Sequence, residues 1–336
     1  MAERERIDAA PVPSGDSWDL AGLERLSASA VAGKVLAAMG DEDPDIVVLT
    51  ADLKFSNQTV DFERAHPERF INVGISEQHM VTMAAGMASV GMKPYVATFA
   101  PFVGLLAGEH IRTDLAYPGL PVRIIAHHAG IAIGFYGTSH HATEDLGLMR
   151  SIAGLTVVCP CDATATEAAL RQTADLPGPV YFRVGRGRDV DVYDERPSAW
   201  RFGEAAVLRE GGDLTIVANG VTVSGALEAA AALAADGVET TVIDAHTVRP
   251  FDDATIAEHA GRSGRLLVAE EHNVVGGVAT ACAEALVEHG LAGVKMARIG
   301  MPADEYSLIG PPTHLYRHYG MDGAGIEKVA RELLGS

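Results

Sequence analysis

Short apolar, β-rich runs alternate along the chain with longer stretches of helical composition. The runs at residues 46–50, 70–73, 94–99, 122–126, 156–159 and 180–184 are almost continuously apolar and end in turn residues. That pattern describes strands covered on both faces. Helix-like segments lie between them, as at residues 77–90 and 163–174. Strand–helix alternation of this kind predicts a parallel, doubly wound α/β sheet. This first domain is expected over residues 21–187. A charged, turn-rich stretch follows at 185–204, GRGRDVDVYDERPSAWRFGE, and residues 188–205 read as a linker. The alternation then resumes, with runs at 214–218, 240–243, 265–269 and 294–299 and helical segments at 221–235, 277–289 and 323–334. A second, smaller α/β domain is expected over 206–336. The opening residues, MAERERIDAAPVPSGDSWDL, mix charges with Pro and Gly, and residues 1–20 read as a disordered tail without a signal peptide.

The 336 residues suit two domains, and 48% hydrophobic residues are enough for two cores. A formal charge of −19 at pH 7 excludes an ordinary nucleic-acid binder, which must neutralise phosphates with clustered Lys and Arg. Cys159, Cys161 and Cys282 cannot form a disulfide framework. No apolar run approaches the length of a membrane span. A cytoplasmic protein without membrane contact is expected. The usual glycine-rich signatures of dinucleotide and P-loop sites are absent.

The chemistry concentrates in a few windows. In RFINVGISEQHMVTMAAGMASVGMKPYVATFAPF (residues 69–102) a strand ends in a Gly turn and Glu77 opens a helix of small residues. Ligands bind at that edge of an open α/β sheet. Glu77 reads either as a helix-opening acid favoured by the macrodipole or as a carboxyl group enclosed by close packing. Phe99 and Phe102 read as core or as a flat binding face. The Gly-rich segment HHAGIAIGFYGTSHHATED (127–145) holds His127, His128, His140 and His141. Their adjacent pairing lacks the i, i+4 spacing of a helical metal site. ADLKFSN (51–57) offers Asp52 and Ser56, which also suit a turn. YFRVGRGR (181–188) offers Arg183 and Arg186, able to clamp a phosphate or to form ordinary ion pairs.

The segment GISEQHMVTMAAGMA resembles the cofactor-activating segment of the transketolase family, shared with deoxyxylulose-phosphate synthase, and the resemblance runs from about Ala51 to the C-terminus. It implies a thiamine-diphosphate-binding fold, a pyrimidine domain followed by a transketolase C-terminal domain. By this match Glu77 is the glutamate that hydrogen-bonds the aminopyrimidine of thiamine diphosphate and promotes formation of the ylid. Phe102 stacks on the pyrimidine with Phe99 beside it, and Asp52 lies near the cofactor-forming interface. The resemblance implies that His140 contacts substrate hydroxyls near the reacting carbon. His128, Ser56 and Arg186, with Arg183 as neighbour, would hold a terminal phosphate. DAHTVRPFD (244–252) and VAEEHNVVGGV (268–278) look like the family's C-terminal domain, for which a structural role and no catalytic one is expected; EEHNVVGG reads as a strand end and turn.

The match has two departures and a larger absence; one departure is that the additional phosphate-contacting Arg expected near residues 27–30 is not found. Tyr136 stands where the pentose-phosphate enzymes carry an acidic residue that contacts a donor hydroxyl, which brings bulk and no charge. The diphosphate-binding signature, a GDG followed at a distance by Asn, is also missing. The expected enzyme is therefore split. An N-terminal transketolase subunit would grip pyrophosphate and Mg²⁺, this chain would supply the pyrimidine pocket, and the assembly would be α2β2. The expected reaction is transfer of a two-carbon ketol unit from a ketose or ketose phosphate to an aldose. The alternatives are decarboxylating condensation of a 2-oxo acid, as in deoxyxylulose-phosphate synthase, and a non-catalytic scaffold subunit.

Overall fold

The structure is a computed structural model that describes residues 28–186, 190–193 and 197–335. The expected tail at 1–20 lies outside the described residues, as do parts of the expected linker. Among the described residues, twelve strands follow in chain order: β1 (Ile46–Thr50), β2 (Phe70–Asn72), β3 (Lys93–Phe99), β4 (Arg123–His127), β5 (Thr156–Val158), β6 (Val180–Arg183), β7 (Ala206–Arg209), β8 (Leu214–Ala218), β9 (Thr240–Asp244), β10 (Thr247–Arg249), β11 (Arg265–Asn273) and β12 (Lys295–Met301). They form a seven-stranded sheet, β10-β5-β6-β4-β3-β1-β2, and a five-stranded sheet, β12-β11-β8-β9-β7. Each is parallel except at one edge, where β10 runs antiparallel to β5 and β7 antiparallel to β9. The two α/β domains expected from the sequence are therefore present, with mixed sheets.

The first sheet is covered on both faces, which explains its unbroken apolar strands. Along β1, Ile46 and Val48 belong to one core cluster while Val47 and Leu49 belong to another. Successive side chains of a strand point to opposite faces, so the two clusters lie on either side of the sheet. Helix Ala28–Glu42 packs against helix Ala163–Gln172, and helix Glu77–Ser89 packs against β3.

Several elements were not legible in the sequence. Strand β10 comes from the second half of the chain yet completes the first sheet, so the domains share a sheet edge. Three residues are too few to show a period. β11 runs on from Ala269 through Glu270, Glu271 and His272, all buried; charged residues mask a strand from a hydrophobicity reading. The expected strand end of EEHNVVGG therefore lies later, at Asn273, with the turn after it. Within the expected linker, Tyr193 and Trp200 are fully buried. No helix among the described residues is long and apolar enough to cross a membrane.

Candidate active site

Strands β1, β2, β3, β4 and β6 are mutually parallel, so the segments leaving them emerge at one edge. Those segments carry Asp52 and Ser56 after β1, Glu77 after β2, Phe102 after β3, His128 after β4 and Arg186 after β6. This is the edge at which an open α/β sheet binds ligands.

Beyond β2, Gly74 turns the chain at φ +76 and Glu77 begins the helix Glu77–Ser89. Glu77 is 7% exposed, and its Oε1 accepts a 3.0 Å hydrogen bond from Thr98 Oγ1 on β3. Asn72 ties the neighbouring loop to the same turn. Its Oδ1 accepts from the Asp52 N–H at 3.0 Å and the Gly74 N–H at 3.0 Å, and its Nδ2 donates to Asp52 Oδ1 at 3.1 Å. Asp52 and His128 both have left-handed backbone, with φ of 61 and 58. Non-glycine residues seldom adopt that conformation, and such strain concentrates at functional sites.

Four of the expected residues meet in one aromatic cluster, and a fifth joins through His140. Phe99 and Phe102 stack with centroids 5.5 Å apart at 28°. His128 lies 4.0 Å from Phe99, and His140 lies 5.2 Å from Phe102 and 6.0 Å from Phe99. Tyr136 lies 4.9 Å from His140 and is half exposed. Phe102 opens a π-helix, Phe102–Leu106, an irregular turn that often marks functional positions. Arg186 is half-buried and close enough to His128 and Tyr136 to act on them electrostatically.

Burial sets the charge state of the histidines. It pushes His127 down to about 3 and His141 to about 4, and it lowers His140. His128 falls well below the ordinary histidine value, first by burial and then through His127, Arg186 and His140. All four imidazoles are thus neutral at pH 7, and Arg186 supplies the positive charge of the cluster. Among the described residues, no group of three or more His, Cys, Asp or Glu side chains is placed to hold a metal ion.

Other expected residues stand apart. Ser56 is exposed on the loop after β1. Arg183 is only 3% exposed and turned into the protein: Nε donates to Asp145 Oδ2 at 2.9 Å, and Nη2 donates to the carbonyls of Ala142 and Glu271 at 3.0 and 2.8 Å. These bonds make it a structural clasp between domains, since a guanidinium so engaged cannot also clamp a substrate phosphate. Thr98, Asn72 and Glu271 were not read as site residues. The only sequence signal for Glu271 was a doubled acid inside an apolar run, which resembles a turn. A separate cavity of about 440 Å³ is lined by Arg150, Leu155, Thr156, Arg249 and Phe251 and contains none of the expected residues. The aromatic cluster instead opens to the surface through Tyr136.

Residues 24–188 match the family described as transketolase, pyrimidine binding domain, and residues 203–326 match transketolase, C-terminal domain. The chain is 36% identical over 299 residues to an apulose-4-phosphate transketolase subunit of Phocaeicola vulgatus, covering 89% of this chain and 95% of that one. It is 35% identical over 311 residues to 1-deoxy-D-xylulose-5-phosphate synthase 1 of Geobacter sulfurreducens, covering 92% of this chain and 48% of that longer protein. A solved structure described as a split gene transketolase, inactive beta4 tetramer, superposes with a TM-score of 0.84 at 38% identity, covering 92% of this chain and 99% of that one. With both domain matches in order, and with similarity of this extent to a transketolase subunit, the chain belongs to the transketolase family.

Proposed function

We propose that this chain supplies the pyrimidine side of a thiamine-diphosphate-dependent ketol transferase and works with a partner subunit that carries the diphosphate and Mg²⁺ site, as α2β2. The observation that carries this reading is the convergence of Phe99, Phe102, His128, Tyr136 and His140 at the sheet edge where Glu77 stands buried. An open cluster of this kind suits a site completed by a second chain.

The residues present fit the cofactor's pyrimidine end. Two stacked phenyl rings offer a flat apolar face for a planar heterocycle. Glu77 is oriented by Thr98 through one oxygen, which leaves the other to carry a proton and donate it to a ring nitrogen. Phe102 and Phe99 would hold the ring and Asp52 would lie beside it. When bound, thiamine diphosphate supplies the carbanion centre that takes up the ketol unit. Glu77 holds and returns a proton at its carboxylate. His140, neutral, has Nδ1 hydrogen-bonded to Ser139 Oγ at 2.9 Å, which leaves Nε2 to bond a ketose hydroxyl. Tyr136 offers a single hydroxyl in place of a carboxylate. Arg186 would bind a terminal phosphate by charge, His128 would add a neutral hydrogen bond, and Ser56 would lie at the rim.

A calorimetric titration of thiamine diphosphate with Mg²⁺ into the chain, alone and mixed with the N-terminal subunit, tests this. Tight binding is expected only in the mixture, and Glu77→Ala should abolish turnover of a ketose donor while leaving assembly intact. Binding in neither case would leave a scaffold subunit. Release of carbon dioxide from pyruvate, without ketol transfer, would favour the synthase reading, which the similarity to deoxyxylulose-phosphate synthase supports.

A further inference from the structure

The loop that carries Tyr136 and His140 is held from outside its own domain. We propose that Glu271 of the second domain, acting with Tyr316, is a positioning residue that fixes the stem of loop 131–141 and thereby sets where His140 stands. This rests on the ketol-transferase reading of His140 given above.

The loop is closed by a two-way bridge in which Gly130 N–H donates to Ala142 O at 3.0 Å and Ala142 N–H donates to Gly130 O at 2.9 Å. Glu271 reaches into this stem. Its Oε1 accepts from Ile131 N–H at 2.8 Å, across 140 positions of sequence, and from the Tyr316 hydroxyl at 2.7 Å. The backbone at Gly130 passes so close, at φ +63, that a Cβ there would collide with the Glu271 carboxyl group. Arg183 closes the clasp by donating to the main-chain carbonyls of both Glu271 and Ala142.

The far side of the loop also rests on the second domain. His141 Nδ1 is hydrogen-bonded to Ser307 Oγ. A Cβ on Gly137 would meet Ile309, and one on Gly134 would meet the Gly310 carbonyl. His140 is thereby held between this wall and the rings of Phe99 and Phe102. The wall contacts several points of the loop, but among the described residues only Glu271 joins it to the stem by a charged acceptor. Such a bond is about twice as strong as a neutral one.

The groups facing Glu271 are Arg183 from β6, Asp145 from the helix Asp145–Ser151 and Tyr316 from the helix Pro312–His318. Burial pushes its carboxyl up to about 7, opposed by Arg183, Tyr316 and the Ile131 N–H. The acceptor therefore changes strength near neutrality, which gives the geometry a readout.

The test uses the chain assembled with its partner, thiamine diphosphate and Mg²⁺, and compares wild type with Glu271→Gln, Glu271→Ala and Tyr316→Phe. Amide hydrogen exchange of the 130–142 peptide is followed beside ketol transfer from hydroxypyruvate. In Glu271→Ala the peptide should exchange at least about tenfold faster, and kcat/KM should fall about 100-fold, the scale of an ångström's misplacement. Cofactor affinity should stay unchanged. Glu271→Gln should recover most of the protection, with activity flat between about pH 6 and 8 where the wild type rises. Tyr316→Phe keeps the buried carboxyl and should show a smaller change of the same sign, so it carries the test if Glu271→Ala fails to assemble. Unchanged exchange and kinetics in Tyr316→Phe, and in Glu271→Ala where it assembles, would overturn the proposal. So would loss of cofactor affinity in step with the loss of activity, which would mark a general structural defect. Faster loop exchange without turnover in any form, wild type included, would leave the positioning intact and reject the transferase reading.

Discussion

Tyr136 shows what one side chain can change at this site. Its ring packs 4.9 Å from that of His140, and Arg186 lies close to it. His140 is lowered by burial, so without a nearby anion it stays neutral at pH 7. In Tyr136→Asp a carboxylate would stand at that distance and favour the imidazolium, raising the His140 pKa by about one unit or more. An NMR titration of the His140 ring checks this, and an unchanged pKa would place the new carboxylate out of reach. The arginines make the complementary point. Arg183 and Arg186 are three positions apart and look alike in sequence, yet Arg183 is committed to Asp145 and two carbonyls while Arg186 stands by the histidines. Charge and chemistry are properties of the residue type; which partner satisfies them is not.

At the level of elements, Asp162 illustrates how far a local signal reaches. An Asp ahead of an Ala-rich stretch is an ordinary helix start, and it does cap the helix Ala163–Gln172, with Oδ1 accepting from Ala165 N–H at 2.7 Å. Its Oδ2 accepts from Val192 and Tyr193 N–H at 2.6 and 2.8 Å, pinning part of the segment that joins the two domains. Asp162→Ala should lose about 1 kcal/mol for the cap. It also leaves two more amide donors without their acceptor, each worth about 1–3 kcal/mol when buried. Urea unfolding should therefore show a loss of about 3 kcal/mol or more, and a loss near 1 kcal/mol would mean that the second pair of bonds contributes nothing. The π-helices Phe102–Leu106 and Ile111–Ala116 were illegible because their spacing departs from the period by which helices are read.

Across the whole molecule, the two domains share a sheet edge and a set of buried charges. Asp244, fully buried, accepts from the Tyr193 hydroxyl at 2.8 Å, and burial pushes its carboxyl up to about 8 despite that bond. Glu271 is pushed up to about 7. A carboxyl whose pKa is raised on folding binds its proton more tightly in the folded state. Its contribution to stability is greatest below the ordinary values of 3.8 and 4.5 and declines as pH rises through the raised ones. The melting temperature should accordingly fall from about pH 4.5 to about pH 8, between the ordinary and the raised values of these two groups, and level off above that. Asp244→Asn should raise it at the alkaline end and leave it level or lower at the acid end. A variant equally displaced at both ends would show that Asp244 does not titrate in this window.

The sequence alone determined the two α/β domains and most of their parallel strands, and its resemblance to a family singled out Glu77, Phe99, Phe102 and His140 as candidates. These were legible because hydrophobic period, turn residues and motif spacing are local properties. The tertiary structure decided the strand order, the entry of β10 into the first sheet, the different placements of Arg183 and Arg186, and the hold of Glu271 on the loop that carries His140. Each depends on groups far apart in the chain finding one another, with burial then setting their charge, and no local pattern of residues encodes such a meeting.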